Sequence, residues 1–130
     1  MLNIISIKSS KRNQMIDITN DVLNCIKNSG IIEGLCFMFV PHTTAAITIN
    51  EGVDPDVCTD VIDTLNSLLP RLSTYHHIEG NSDSHVKASI IGNSATLIIE
   101  NAEPILGTWQ KVFFCEFDGP RNRKIYIKIS

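Results

Sequence analysis

Four histidines occur in 130 residues, and all of them fall between positions 42 and 85. His42 sits among small and polar residues in Pro41-His42-Thr43-Thr44-Ala45-Ala46. His76, His77 and His85 share the polar stretch that runs through Glu79, Gly80, Asn81 and Asp83. Neutral imidazoles, oriented by neighbouring polar groups, bind zinc, nickel, copper or iron, and a catalytic site keeps one position for water. Thr43, Thr44, Glu79, Asn81 and Ser89 are available as orienting groups. The competing reading from spacing alone is four surface or capping histidines. The separation of His76 from His85 suits a loop that leaves a site and returns to it.

Other residues extend the chemistry. Glu79, three residues after His76, is placed to act as a general base on a bound water or as a ligand, or else it is a solvated loop carboxylate. Asp118-Gly119-Pro120-Arg121 is a turn that presents Arg121, whose planar guanidinium suits phosphate. Trp109, the one tryptophan, is a core or interface anchor, or a platform for a ring substrate. If 85–91 is a strand, His85, Lys87 and Ser89 share one face, which sets a cation beside the proposed metal.

These residues have to be positioned by regular elements. Alternation predicts strands over 2–7 and 15–18. Thr19 reads as a helix N-cap, with Val22, Leu23, Cys25 and Ile26 on the helix face and Gly30 at its end. Residues 35–40 are nearly continuously apolar, as in a strand buried on both faces, and 45–50 alternates. Asp54-Pro55-Asp56 opens a second helix. Asp54 caps it, Pro55 suits its first position, Asp56 favours the positive dipole end, and Pro70 stops the apolar stripe. Residues 71–84 show no apolar periodicity and read as a long loop, which is often functional. Strand-like runs follow over 86–91, 95–99, 112–117 and 124–129. About two helices and seven or eight strands in groups predict an α+β fold with two packed sheets in a single domain over 1–130.

Composition narrows the function classes. Hydrophobic residues make up 43% and charged residues 19%, ordinary values for a globular chain. Eleven basic residues against fourteen acidic ones give a net charge of −3, and no basic run exceeds Arg121-Asn122-Arg123-Lys124, so no nucleic-acid partner is expected. No apolar stretch approaches the ~20 residues of a membrane span, and no signal peptide is read, so no membrane partner is expected and the cytoplasm is. Cys25, Cys36, Cys58 and Cys115 lack metal-type spacing and read as buried thiols.

Several blocks together resemble the YjbQ-like family, whose members are described as secondary thiamine-phosphate synthases. They are His42-Thr43-Thr44-Ala45-Ala46-Ile47-Thr48-Ile49-Asn50-Glu51, Asp54-Pro55-Asp56, His76-x-x-Glu79-Gly80, His85-Val86-Lys87-Ala88-Ser89-Ile90-Ile91-Gly92, Leu106-Gly107-Thr108-Trp109-Gln110 and Glu116-Phe117-Asp118-Gly119-Pro120-Arg121. The match spans essentially the whole chain. The resemblance implies a two-sheet β-sandwich, a homotrimer, and a metal site near the subunit boundary with His42, His76 and His85 as ligands. The pattern does not ask for a histidine at His77.

The expected activity is thiamine-phosphate synthase: a pyrimidine diphosphate joins a thiazole phosphate and pyrophosphate leaves. Glu79 is then the catalytic residue, and Lys87, Ser89, Trp109 and Arg121 bind the small phosphorylated substrate. Zinc is the first-choice divalent metal, with magnesium the choice for a diphosphate substrate. A metal-dependent hydrolase and a non-enzymatic trimeric metal- or ligand-binding protein are the alternatives.

Overall fold

The computed structural model describes residues 2–130. Eight strands and three helices follow one another along these residues. They are β1 (Leu2–Lys8), β2 (Gln14–Asp17), α1 (Thr19–Ser29), β3 (Gly34–Phe39), β4 (Ala45–Glu51), α2 (Pro55–Leu68), α3 (Ser82–Ile91), β5 (Ser94–Glu100), β6 (Glu103–Pro104), β7 (Gln110–Glu116) and β8 (Asn122–Ile129). The strands form a five-stranded sheet, β1-β8-β3-β5-β6, and a three-stranded sheet, β2-β7-β4. Every strand pairing is antiparallel. This is the expected α+β class, with one helix more than expected. Among the described residues no helix is long and apolar enough to cross a membrane.

Local chemistry accounts for two helices. Gly30 ends α1 in the left-handed region at φ 70°, which a residue without Cβ adopts freely. The expected cap shifts by one position: Ile18 is the N-cap, and the Asp17 carboxylate accepts from the Thr19 N–H at 2.9 Å. Thr19 is turned inward instead, and its hydroxyl accepts from the Val112 N–H at 2.9 Å. This contact stitches α1 to β7. At α2, Asp54 accepts from the Asp56 N–H at 2.9 Å and Pro55 fills the first turn, as expected.

One core joins both sheets and α1. Val22 and Ile26 of α1 meet Cys36 and Met38 of β3, Ile125 and Ile127 of β8, and Val112 and Phe114 of β7. A second cluster of Ala46, Ala88, Cys115 and Phe117 lies where α3 covers the other face of the small sheet. Cys36 and Cys115 are buried and Cys25 and Cys58 half-buried, all as free thiols.

Two expectations are corrected. The strand expected over 86–91 is the C-terminal part of α3. Its β-branched Val86, Ile90 and Ile91 suggested a strand, but Asp83 and Lys87 pair across one helical turn. Leu35–Val40 does not lie in a strand buried on both faces. Cys36 and Met38 point into the core, while Leu35, Phe37 and Phe39 face outward and are exposed. The strand covered on both faces is β7, at the centre of the smaller sheet, where Val112 through Phe117 are all buried.

Candidate functional site

His42 lies between β3 and β4, at the rim where the chain crosses from the large sheet to the small one. Its Nε2 accepts a hydrogen bond from the Lys124 backbone N–H of β8 at 3.0 Å. A neutral ring that accepts through Nε2 carries its proton on Nδ1. Burial and the neighbouring Arg123 push the His42 pKa below its ordinary value, outweighing the opposing Lys124 contact and Glu116. As it stands, His42 is a neutral imidazole with an N–H to donate.

His42, Thr43 and His85 line two adjoining clefts. One, of about 310 Å³, continues along α3 past Ala88 and Ser89. The other, of about 360 Å³, opens toward Glu79, Asn81, Asp118, Arg121 and Arg123. His85 and Ser89 are one helical turn apart, and the Ser89 hydroxyl donates to the His85 carbonyl at 2.9 Å. The α3 helix therefore places both on one cleft wall.

The wall opposite is charged and tightly bonded. Arg123 points inward from β8, on the same side as Ile125 and Ile127, and bonds the buried Glu116 through two nitrogens and the Thr44 hydroxyl at 2.8 Å. Ser9 donates to Glu116 Oε1, the oxygen that also accepts from Arg123 Nε, at 2.6 Å. Burial raises the Glu116 carboxyl, but the bonds from Arg123, Ser9 and the Asp118 N–H outweigh it and hold the group below the usual carboxylate range. Arg121 is exposed and leans on Asp118, with Nη2 to Oδ2 at 2.8 Å. The Asn81 amide donates to the same Asp118 oxygen at 2.9 Å, and its own carbonyl oxygen is buried without a partner.

The remaining site residues are placed differently from expectation. Residues two apart on a helix are turned about 200° from each other, so Lys87 does not share the face of His85. Lys87 is 1% exposed and bonds Asp83 at 3.0 Å and Asn66 of α2 at 2.6 Å. Arg12 grips the same Asp83 through two nitrogens. Burial raises the Asp83 carboxyl, and the bonds from Arg12 and Lys87 override it, so the carboxyl stays below its ordinary range. Lys87 ties α3 to α2 and lines neither histidine cleft. Trp109 stands 59% exposed in the turn before β7 and also lines neither cleft.

His76 is exposed in the loop before α3 and lines neither cleft. Its neighbour His77 packs edge-on against the His85 ring at 5.3 Å between centroids, with Nε2 3.7 Å from the Glu79 carboxylate. Sequence reasoning assigned no role to Arg123, Glu116 and Asp118. The available signal was an arginine at an inward position of an alternating strand, beside Ile125, Ile127 and Ile129.

The donor types around His42 suit a divalent ion: two imidazoles and the Glu79 carboxylate face one space. Their present hydrogen bonding does not present them to one. Among the described residues no three His, Cys, Asp or Glu side chains stand close enough to hold an ion. The lone pair of His42 is spent on Lys124. Ligation through His42 requires its ring to release that N–H and turn.

The model of UPF0047 YjbQ-like proteins matches residues 3–130. A UPF0047 protein of Methanocaldococcus jannaschii is 49% identical over 99% of this chain and 94% of its own length. The UPF0047 protein YugU of Bacillus subtilis is 47% identical over 99% and 98%. Among solved structures, an uncharacterised YjbQ/UPF0047 protein of Clostridium acetobutylicum superposes with a TM-score of 0.97 at 49% identity, covering 98% of this chain and 99% of that one.

Proposed function

Because the chain belongs to the UPF0047 YjbQ-like family, we propose that its His42–His85 cleft is the metal and phosphate site of an enzyme acting on a small phosphorylated substrate, with thiamine-phosphate synthase as the reaction to test. One observation carries this reading: His42, Glu79, His85, Arg121 and Arg123 line a single cleft although they come from three separate stretches of the chain, around 42, 79–85 and 121–123.

Each residue has a definable part. Displacing pyrophosphate builds negative charge on the leaving group, and preorganised donors aimed there lower the barrier. His42 offers its Nδ1–H. Arg121 is exposed and free to exchange Asp118 for a phosphate oxygen. Arg123 is neutralised by Glu116, so it positions the Thr44 turn. Ser89 supplies a hydroxyl along the α3 wall, and Glu79 is the general base at the mouth.

Charge counting says what the cleft lacks. Arg121 pairs with Asp118 and Arg123 with Glu116, which leaves Glu79 unbalanced apart from His77. A diphosphate would meet no net positive charge. A divalent ion, zinc first and magnesium for a diphosphate substrate, would supply it if held by His42 and His85, with the expected third ligand His76, which lines neither cleft, brought in by its loop.

The proposed assembly is a homotrimer with this cleft near a subunit boundary. Support comes from the outer face of the five-stranded sheet, where Leu35, Phe37 and Phe39 of β3 and Ile98 of β5 are exposed, with Leu2 and Ile4 of β1 exposed beyond Tyr126 and Lys128 of β8. A cluster of exposed large apolar residues of this kind marks an interaction surface.

The test is calorimetric titration of pyrophosphate at fixed salt, with and without zinc or magnesium, followed by an assay with the pyrimidine diphosphate and thiazole phosphate. Binding should need the metal. It should weaken about ten- to a hundredfold in Arg121→Ala, since one charge-assisted contact contributes about 1.5–3 kcal/mol. Metal content should fall in His42→Ala and His85→Ala. Pyrophosphate binding that ignores both metal and Arg121 would remove this reading. Metal binding with hydrolysis of a phosphate-free substrate would replace it with the metal-dependent hydrolase.

A further inference from the structure

A further space, lined by no charged residue, lies between α2 and the small sheet. Its volume is about 240 Å³. Val61, Ile62 and Leu65 of α2 form one wall, and Met15, Cys115 and Phe117 form the other. Ile91, at the end of α3, closes one side.

Three observations make this more than imperfect packing. The α2 helix carries an apolar stripe, yet none of its residues is buried. A stripe of that kind ordinarily sits down on the layer beneath it. Here the layer beneath is itself apolar and belongs to the second core cluster. The helix is also held at its position by a polar tie. Lys87 of α3 bonds Asn66 at 2.6 Å. This tie holds α2 to α3 beside the space.

We propose that the space beneath α2 is a binding site for a small, neutral, mainly apolar molecule, a single or fused aromatic ring carrying one polar group. An apolar cavity of about 150 Å³ is large enough for benzene and stays dry. The space beneath α2 is larger and takes about ten heavy atoms. Water gains little there, because most of the lining surface is apolar. The Cys115 thiol adds no charge: burial, and secondarily Cys58, push its pKa up to about 12, so it stays protonated. Thr48 and Asn50 are the polar side chains on the lining, adjacent on β4, and they receive the ligand's polar group. No cation lines the space, so a phosphorylated molecule is excluded, and this site is independent of the His42 cleft.

Indole and benzene are the probes, titrated into the full chain and followed by amide chemical shifts. Saturable binding of indole is expected, with shifts centred on Val61, Leu65 and Cys115, and with benzene competing. Two variants fill the space from opposite walls: Val61→Phe from the helix and Cys115→Met from the sheet. Each should lose at least tenfold in indole affinity while keeping a cooperative thermal transition, and either variant suffices should the other fail to fold. His42→Ala should bind indole as the wild type does. The proposal is overturned by wild-type protein that shows no saturable shifts, by undiminished binding in a folded space-filling variant, or by shifts centred on His42 and His85.

Discussion

The Nε2 of His42 accepts the Lys124 backbone N–H at 3.0 Å, so a ring on the β3–β4 crossing is locked to the edge of β8. The contact orients the imidazole as a second partner orients a ligating histidine, but it does so through the nitrogen a metal would use. His42 is thereby a neutral hydrogen-bond donor in the resting protein.

The His42 imidazole should titrate below its ordinary 6.5. The unfolded chain then binds this proton more tightly than the folded one, so the contribution to stability is complete above about pH 6.5. It drains away as the pH falls toward the folded value. Ring-proton NMR reads the pKa. Denaturation at several pH values should show that His42→Gln, whose amide oxygen still accepts from Lys124, flattens this part of the profile.

Lys87→Met should destabilise the protein by about 3 kcal/mol, because Asp83 stays buried with only Arg12 to balance it. Urea unfolding gives the number. Folded Lys87→Met should retain its pyrophosphate affinity, in contrast to Arg121→Ala. Equal losses in the two variants would put Lys87 at the phosphate after all.

Phe37→Glu sets a charge in the middle of the exposed apolar face of the large sheet. Sedimentation equilibrium of the wild type should give about three times the 14.4 kDa chain mass, and the variant should shift toward the single-chain mass. An unchanged mass in the variant would place the subunit contacts elsewhere.

Glu116→Gln leaves the buried Arg123 without its counter-charge and should cost about 3–5 kcal/mol at neutral pH. In the wild type the Glu116 carboxyl lies below its ordinary 4.5. Its contribution is therefore present above about pH 4.5 and is lost as the pH falls through the lower folded value. Acid unfolding followed by circular dichroism should show a shallower acid limb in the variant.

The sequence by itself determined what depends on neighbours a few residues away. Asp54-Pro55 and Gly30 marked helix ends because caps are local hydrogen bonds and local backbone angles. The α+β class and most strands followed from periodicity, and the family from blocks such as Leu106-Gly107-Thr108-Trp109-Gln110. That His42 and His85 belong to one site was an expectation of the resemblance, which also put His76 there; that Glu79 and Arg121 line the same cleft is something spacing alone left open. Tertiary structure decided the rest. The run 86–91 is helical because Asp83, Arg12 and Asn66, spread over more than fifty residues, close a buried network around Lys87. That network turns Lys87 away from His85. Whether an apolar strand is covered on one face or two depends on which layers lie above it, and sequence periodicity carries no record of that. So β3 and β7, both rich in apolar residues, differ in burial: β7 lies between the core and α3, while the outer face of β3 is uncovered within a single chain.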